Sequence, residues 1–331
     1  MVALTPMMNA AYAAELNTED PLSALVVGER PRPEPPPGWV RVRVRAASLN
    51  QHDLWSLRGV GLDAARLPMI LGSDAAGELE DGTPVIVHPM IAERAWTLDR
   101  PDERRATLLS EVHQGTLAEE LVVPAANVVR KPESLSYPAA ACLGTAWLTA
   151  YGMLFRTGGM RPGQTILVQG ATGGVASALI QLGRATGLRV YATARSEEKR
   201  RFALELGAHE AFEPGARLPR RVDGAFETVG EATWAHSLRC VRPGGVVVCA
   251  GATTGEHPSA ELRRVFFHRL RILGSVIGPT DELVDLIDLL SLTGIEPAIG
   301  AEVPLAKARD AFQAMAEGRT FGKIVVTGDD T

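Results

Sequence analysis

The chain has 331 residues, too many for one ordinary domain and suited to two. Hydrophobic residues make up 46% and charged residues 22%, a globular composition, and the formal net charge of -5 argues against a general nucleic-acid binder, which carries a basic excess. Its three cysteines, Cys142, Cys240 and Cys249, stand far apart with no Cys-x-x-Cys pair, which argues against a disulfide framework and for a reducing, cytoplasmic compartment. Residues 1–14 are apolar but have no basic n-region and are interrupted by Asn9, so they make a poor signal peptide. No run reaches the roughly 18 apolar residues of a membrane span, and no internal repeat is evident.

Residues 30–38, Arg-Pro-Arg-Pro-Glu-Pro-Pro-Pro-Gly, form a stiff loop, because proline fixes φ and removes backbone donors. Val40-Arg41-Val42-Arg43-Val44-Arg45 then alternates strictly, the period of a half-buried strand. Its arginines read as a solvated strand face or, less simply, as a polyanion site. The texture changes near Pro132. Short apolar strands at 165–169, 189–194, 224–227, 246–250 and 272–277 alternate with helical stretches, of which 174–186 places Val175, Ala178, Leu179 and Leu182 on one face. Alternation of this kind implies an α/β fold with a doubly wound parallel sheet and right-handed crossovers. After Gly294 the pattern changes again, and a strand at 323–326 closes the chain. The expected domains are therefore 1–131 with 297–331, which is β-rich, and 132–296, which binds a dinucleotide.

The strand at 165–169 runs directly into Gly170-Ala171-Thr172-Gly173-Gly174-Val175-Ala176 and then into a helix. This is the setting a dinucleotide fingerprint needs. Its three key positions fall on Ala171, Gly173 and Ala176, so two of the three glycines are alanine. Gly173 lets the backbone approach a pyrophosphate, which lies against amides at the helix N-terminus. The plainer alternative is an ordinary strand-to-helix turn. An NAD site usually has an acid at the end of the next strand, to hold the ribose hydroxyls. Here that strand ends Tyr191-Ala192-Thr193-Ala194 and continues into Arg195-Ser196-Glu197-Glu198-Lys199. Arg195 and Lys199 offer charged donors and Ser196 a hydroxyl to a 2'-phosphate, so NADPH is the expected cofactor. Alternatively Ser196 is only an N-cap and Lys199 is solvated.

Several other segments share this order and spacing: 46–53 (Ala-Ala-Ser-Leu-Asn-Gln-His-Asp), 71–77 (Leu-Gly-Ser-Asp-Ala-Ala-Gly), 115–119, 143–151, Arg242-Pro243-Gly244-Gly245 and Phe321-Gly322-Lys323-Ile324-Val325-Val326. Together they resemble the medium-chain dehydrogenase/reductase superfamily, above all its quinone-oxidoreductase and zinc-free alcohol-dehydrogenase-like branches. The resemblance covers nearly the whole chain. It implies a β-rich, barrel-like (GroES-like) catalytic domain joined to a Rossmann domain, with the active site in the cleft between them. It also implies a homodimer paired edge to edge near residues 271–277, a small-molecule carbonyl or quinone substrate, and neither nucleic acid nor membrane as partner.

Zinc-dependent relatives place their catalytic ligands at positions corresponding to Asn50, Ser73 and Thr145, none of which is a good zinc ligand. The cysteines of the structural zinc lobe are missing from 90–114 as well, so no metal is expected. His52 and His88 remain as a pair of histidines without a third partner, and Cys142 lies three residues before the third ligand position and packs in a helix. Many quinone-oxidoreductase relatives carry a tyrosine where this chain has Trp55, which can wall an aromatic substrate but cannot donate a proton. His52, Asp53 and water remain as candidate proton donors.

Without a Lewis acid, a conjugated carbonyl is a more natural acceptor than an isolated ketone, its enolate being held by hydrogen-bond donors. Asn50 is the expected donor, or else a turn former; Asp53 orients the loop or relays a proton. Thr145 and Thr149 line the nicotinamide pocket or merely pack the helix. Gly251, Ala252 and Thr228 follow strand ends at the cofactor edge. Lys323 reaches the cofactor phosphate or holds the last strand. Residues 60–68 and 266–271 are candidates for lining the substrate pocket. The expected function is reduction of a quinone or enone. The alternatives are a biosynthetic enoyl or ketone reductase with a bulky substrate, and a NADPH-binding protein without turnover.

Overall fold

The computed structural model describes residues 6–92 and 106–328. Residues 93–105, the middle of the cysteine-free stretch expected to lack a structural zinc lobe, lie outside the described residues. Among the described residues, no helix is long and apolar enough to cross a membrane.

The apolar start supplies β1 (Met7–Ala13), which pairs antiparallel with β2 (Leu25–Pro31). The alternating Val/Arg segment is the core of a longer strand, β3 (Trp39–Ser48). Val42, Val44 and Ala46 face the core, while Arg41, Arg43 and Arg45 lie on the opposite face. Those arginines are not simply solvated. They pair with Glu34, Glu80, Glu78 and Glu120, and Glu78 is held down to about 2, chiefly by its hydrogen bond from Arg45. The chain continues through β4 (Met69–Ile70), β5 (Asp74–Glu78), β6 (Pro84–Val87), β7 (Met90–Ala92), β8 (Ala106–Leu108), β9 (Glu120–Pro124) and β10 (Val128–Arg130).

β11 (Thr165–Val168), β12 (Arg189–Thr193), β13 (Glu210–Phe212), β14 (Val222–Glu227), β15 (Val241–Cys249) and β16 (Arg271–Gly274) form a six-stranded parallel sheet in the order β13-β12-β11-β14-β15-β16. All four residues of β11 are buried, as a strand covered on both faces requires. The order reverses between β11 and β14, which makes their carboxyl ends the switch point where such sheets bind ligands. Finally β17 (Ile299–Pro304) and β18 (Lys323–Thr327) join β3 in a seven-stranded sheet, β10-β6-β5-β3-β18-β17 with β9 also paired to β3, separate from the β2-β1-β4 sheet.

By compactness the chain divides into two units. The first comprises Met1–Thr145, Pro279–Leu292 and Ile299–Thr331, and the second Ala146–Gly278 and Thr293–Ala298. This differs from the expected limits at 131 and 297. The helix Tyr137–Ala140 packs on β3 and β5, which keeps residues 132–145 with the first unit. The helix Thr280–Thr293 also groups mostly there. A change of sequence texture marks where elements begin, not which unit they pack against.

Candidate functional site

In the first unit the antiparallel register sets Ser48, the last residue of β3, opposite Asp74, the first of β5. Asp74 is fully buried. Its Oδ1 accepts from the Thr145 hydroxyl (2.6 Å), and its Oδ2 from Asn50 Nδ2 (2.9 Å) and Ser48 Oγ (3.1 Å). Asn50 Nδ2 also donates to Ser73 Oγ (3.2 Å), and Ser73 and Thr145 share a hydroxyl hydrogen bond of 3.0 Å. β18 runs beside β3 and brings in Lys323, whose Nζ donates to Leu49 O and Asn50 Oδ1 (each 2.7 Å) and lies 3.7 Å from Asp74 Oδ2. Asn50, Ser73 and Thr145, drawn from three separate segments, thus meet around one carboxylate and one ammonium. Thr145 stands in a wide π-helical turn, Leu143–Trp147, a form frequent at functional sites, and is the most exposed of these side chains.

Asp53 orients this cluster without joining it. Its Oδ2 accepts from the Asn50 amide (2.7 Å) and its Oδ1 from the Gly72 amide (3.0 Å), so one carboxylate ties the start of the helix Gln51–Leu57 to the loop bearing Ser73. Burial pushes Asp53 up to about 6, against the opposing pull of the Asn50 amide. These are the contacts of a loop-orienting residue. Trp55 lies half-buried on the same helix.

Of the two roles expected for Lys323, its contacts are those of a residue holding the last strand. It is 2% exposed and spends its donors on residues 49 and 50, so its contacts hold the last strand and the cluster. His52 Nε2 lies 3.1 Å from Glu111, while His88 is buried with Nδ1 3.3 Å from Met90 O. Cys142 is buried, with its thiol pushed up to about 12 by desolvation. Among the described residues, no three His, Cys, Asp or Glu side chains converge as metal ligands. The donor set at Asn50, Ser73 and Thr145, an amide and two hydroxyls bonded to one another beside an ammonium, does not fit a zinc ion.

In the second unit, Gly170 takes φ +72°, a left-handed conformation suited to glycine, and a Cβ there would lie 2.7 Å from Val229 Cγ2. Ala171 N donates to Thr193 O (3.0 Å), tying the turn to the end of β12. Gly173 is the N-cap of the helix Gly174–Ala185 and supplies no side-chain cap; a Cβ there would meet nothing within 4 Å. First-turn amides and open space at one point fit a pyrophosphate. Thr172, Gly173, Gly174 and Val175 reach the surface, whereas Ala171 and Ala176 are buried. Arg195 and Ser196 are exposed beyond β12, and Ser196 Oγ caps the helix Glu197–Glu205 through the Lys199 amide (3.3 Å). Thr149, expected at the nicotinamide, is buried in the helix Leu148–Gly152. Thr228 follows β14 and Gly251 and Ala252 follow β15; the two loops touch, with Thr253 N on Thr228 O (3.4 Å) and Thr254 N on Val229 O (2.8 Å).

Glu227, the last residue of β14, stands in none of the motifs named from the sequence. Its buried carboxylate accepts from the Val229 and Gly230 amides (2.9 and 3.2 Å), Thr233 Oγ1 (2.9 Å) and Ser237 Oγ (2.8 Å). Burial raises its pKa, opposed by those donors. Ser237 accepts from Gln169 Nε2 (3.0 Å), and Gln169 Oε1 accepts from Thr193 Oγ1. Gln169 Nε2 also lies 3.0 Å from His236 Nδ1, whose Nε2 is 2.8 Å from Ala216 O. A signal was present: Thr233 and Ser237, four apart, share a helix face just after an acid that closes an apolar strand.

Residues 36–133 match the family model of the alcohol dehydrogenase GroES-like domain, and residues 174–291 that of the zinc-binding dehydrogenases. The second match includes none of Asn50, Ser73 and Thr145. The chain is 31% identical to a quinone oxidoreductase of Pseudomonas aeruginosa, over 88% of this chain and 92% of that protein. Its fold is similar to that of an NAD-dependent alcohol dehydrogenase (TM-score 0.88, 31% identity, 97% and 99% of the two chains covered). It is also similar to crotonyl-CoA carboxylase/reductase AntE in complex with NADP (TM-score 0.87, 25% identity, 97% and 94% covered). The architecture is thus a GroES-like unit with a Rossmann-like parallel sheet, as expected from the sequence.

Proposed function

We propose, from the premise that this chain belongs to the medium-chain dehydrogenase/reductase superfamily, that it is a zinc-independent, NADPH-dependent oxidoreductase acting on a quinone or an α,β-unsaturated carbonyl. The observation that carries the cofactor choice is the end of β12. Where an NAD site would present an acid, this chain has buried Thr193 and Ala194 followed by exposed Arg195 and Ser196. An exposed guanidinium and hydroxyl suit a 2'-phosphate, and the strand end offers a free ribose diol no carboxylate acceptor. NADPH supplies the hydride when bound. The glycine turn holds its pyrophosphate, and the loops at Thr228 and Gly251 border its nicotinamide end.

Metal independence rests on the cluster around Asp74. Its amide and hydroxyls are already committed to one another, and Lys323 supplies the positive charge beside the carboxylate. Thr145 is the most exposed of them; its one hydroxyl hydrogen goes to Asp74, so it would serve a carbonyl or enolate oxygen only by exchanging that partner. The relative named a quinone oxidoreductase supports the substrate class.

The edge strand β16 carries exposed Ile272, and Leu262, Phe266, Phe267 and Val276 are exposed around it. An unpaired apolar edge of this kind supports a homodimer joined through β16, which light scattering would read as twice the chain mass.

The direct test is oxidation of NADPH with 1,2-naphthoquinone or a simple enone. Binding without turnover across a broad carbonyl panel would reject the enzyme reading. The double variant Arg195→Ala/Lys199→Ala should weaken NADPH at least tenfold more than NADH, and equal loss for both would reject the 2'-phosphate assignment. Metal analysis should find no stoichiometric zinc; one tightly held equivalent would overturn metal independence.

A further inference from the structure

The buried network of the second unit has a placement that its hydrogen bonds alone do not explain. Thr193, Gln169 and Glu227 lie at or just beyond the carboxyl ends of β12, β11 and β14, three adjacent strands. These strand ends carry the cofactor-binding segments. Gln169 directly precedes the glycine turn, Thr193 O receives the Ala171 amide, and Glu227 directly precedes Thr228.

We propose that Glu227 is a positioning residue for the dinucleotide, setting the glycine turn and the two nicotinamide-side loops without touching the cofactor; this rests on the NADPH reading above. Its carboxylate fixes the Val229 and Gly230 amides. Val229 in turn lies where any side chain at Gly170 would stand, so the height of the turn is set by where Glu227 holds Val229. On the other side, Gly230 has φ +91°, and a Cβ there would come 2.6 Å from Gly255 O and 2.8 Å from Ala252 Cα. The 251–255 loop therefore rests directly on the backbone that Glu227 secures.

The donors run one way through the network. Thr193 donates to Gln169, Gln169 to Ser237, and Ser237 to Glu227. Gln169 uses its second amide hydrogen toward His236 Nδ1, which accepts because Nε2–H donates to the Ala216 carbonyl. A carboxylate that only accepts is the terminus this chain of donors requires. An amide in its place would turn an NH2 toward donors, and the loop would have to shift.

The experiment measures the NADPH dissociation constant by cofactor fluorescence, with thermal melting alongside, for wild type, Glu227→Gln, Thr233→Val and Thr233→Ser. Glu227→Gln should raise the dissociation constant at least tenfold and raise KM for NADPH more than it lowers kcat. Thr233→Val, which keeps the volume and removes one donor, should weaken binding about threefold to tenfold, and Thr233→Ser should restore wild-type affinity. If Glu227→Gln fails to fold, the Thr233 pair decides. Wild-type affinity in folded Glu227→Gln, or equal affinity in Thr233→Val and Thr233→Ser, would overturn the proposal. Failure of the wild-type protein to bind NADPH would instead overturn the cofactor reading on which it rests.

Discussion

The two units each bury a carboxylate at a strand end, and they satisfy it differently. Asp74 is met by an amide and two hydroxyls, with the Lys323 ammonium 3.7 Å away. Glu227 is met by two backbone amides and two hydroxyls, all neutral. The ammonium neutralises Asp74 without a direct hydrogen bond to it, whereas two of the donors to Glu227 are amides of the loop that it anchors. The first arrangement keeps a charged cluster stable beside the partly exposed Thr145. The second makes a carboxylate the anchor of a loop.

The largest effect should come from breaking the charge balance in the first unit. Lys323→Met leaves Asp74 and Asn50 Oδ1 short of a partner and should cost about 3–5 kcal/mol in chemical denaturation. A loss under about 1 kcal/mol would mean that the neutral donors suffice for Asp74, and the contrast with Glu227 would disappear.

Asp53 gives the first unit a pH dependence. Folded, it takes up its proton near pH 6, against 3.8 for the ordinary group. Between those values the folded state binds more protons, so this group's contribution to stability rises as pH falls from 6 to 4 and is lost as pH climbs back through 6. Relative to Asp53→Asn, wild type should therefore gain up to about 3 kcal/mol between pH 7 and pH 4. A pH-independent difference would show that Asp53 stays ionised and that its two amide bonds outweigh its burial.

The smallest effect is expected at the rim. Thr145→Val removes one of the donors to Asp74 and should cost about 1–2 kcal/mol of stability while slowing reduction. Unchanged turnover would remove Thr145 from the site.

Much of this was legible in the sequence, and the residues show where legibility stops. The strand–glycine turn–helix unit could be read because its signals are local, at Thr165–Val168 and Gly170–Ala176. Asn50, Ser73 and Thr145 were brought together by resemblance rather than by spacing. Which of its two expected contacts Lys323 makes could not be read, because its partners are 273 and 274 positions away and depend on the β3–β18 register. The first compact unit runs past the expected limit at residue 131 for a similar reason, since the packing of Tyr137–Ala140 on β3 and β5 is long-range. Glu227 went unnoticed because one acid closing an apolar strand reads as a surface residue until the next helix folds over it.

The proposed selection of NADPH by this Rossmann unit rests on its acid-free strand end. The most direct measurement is the pair of dissociation constants for NADPH and NADH on the wild-type protein at one ionic strength. NADPH should bind at least tenfold tighter; equal affinities, or tighter NADH, would show that the strand end does not select it.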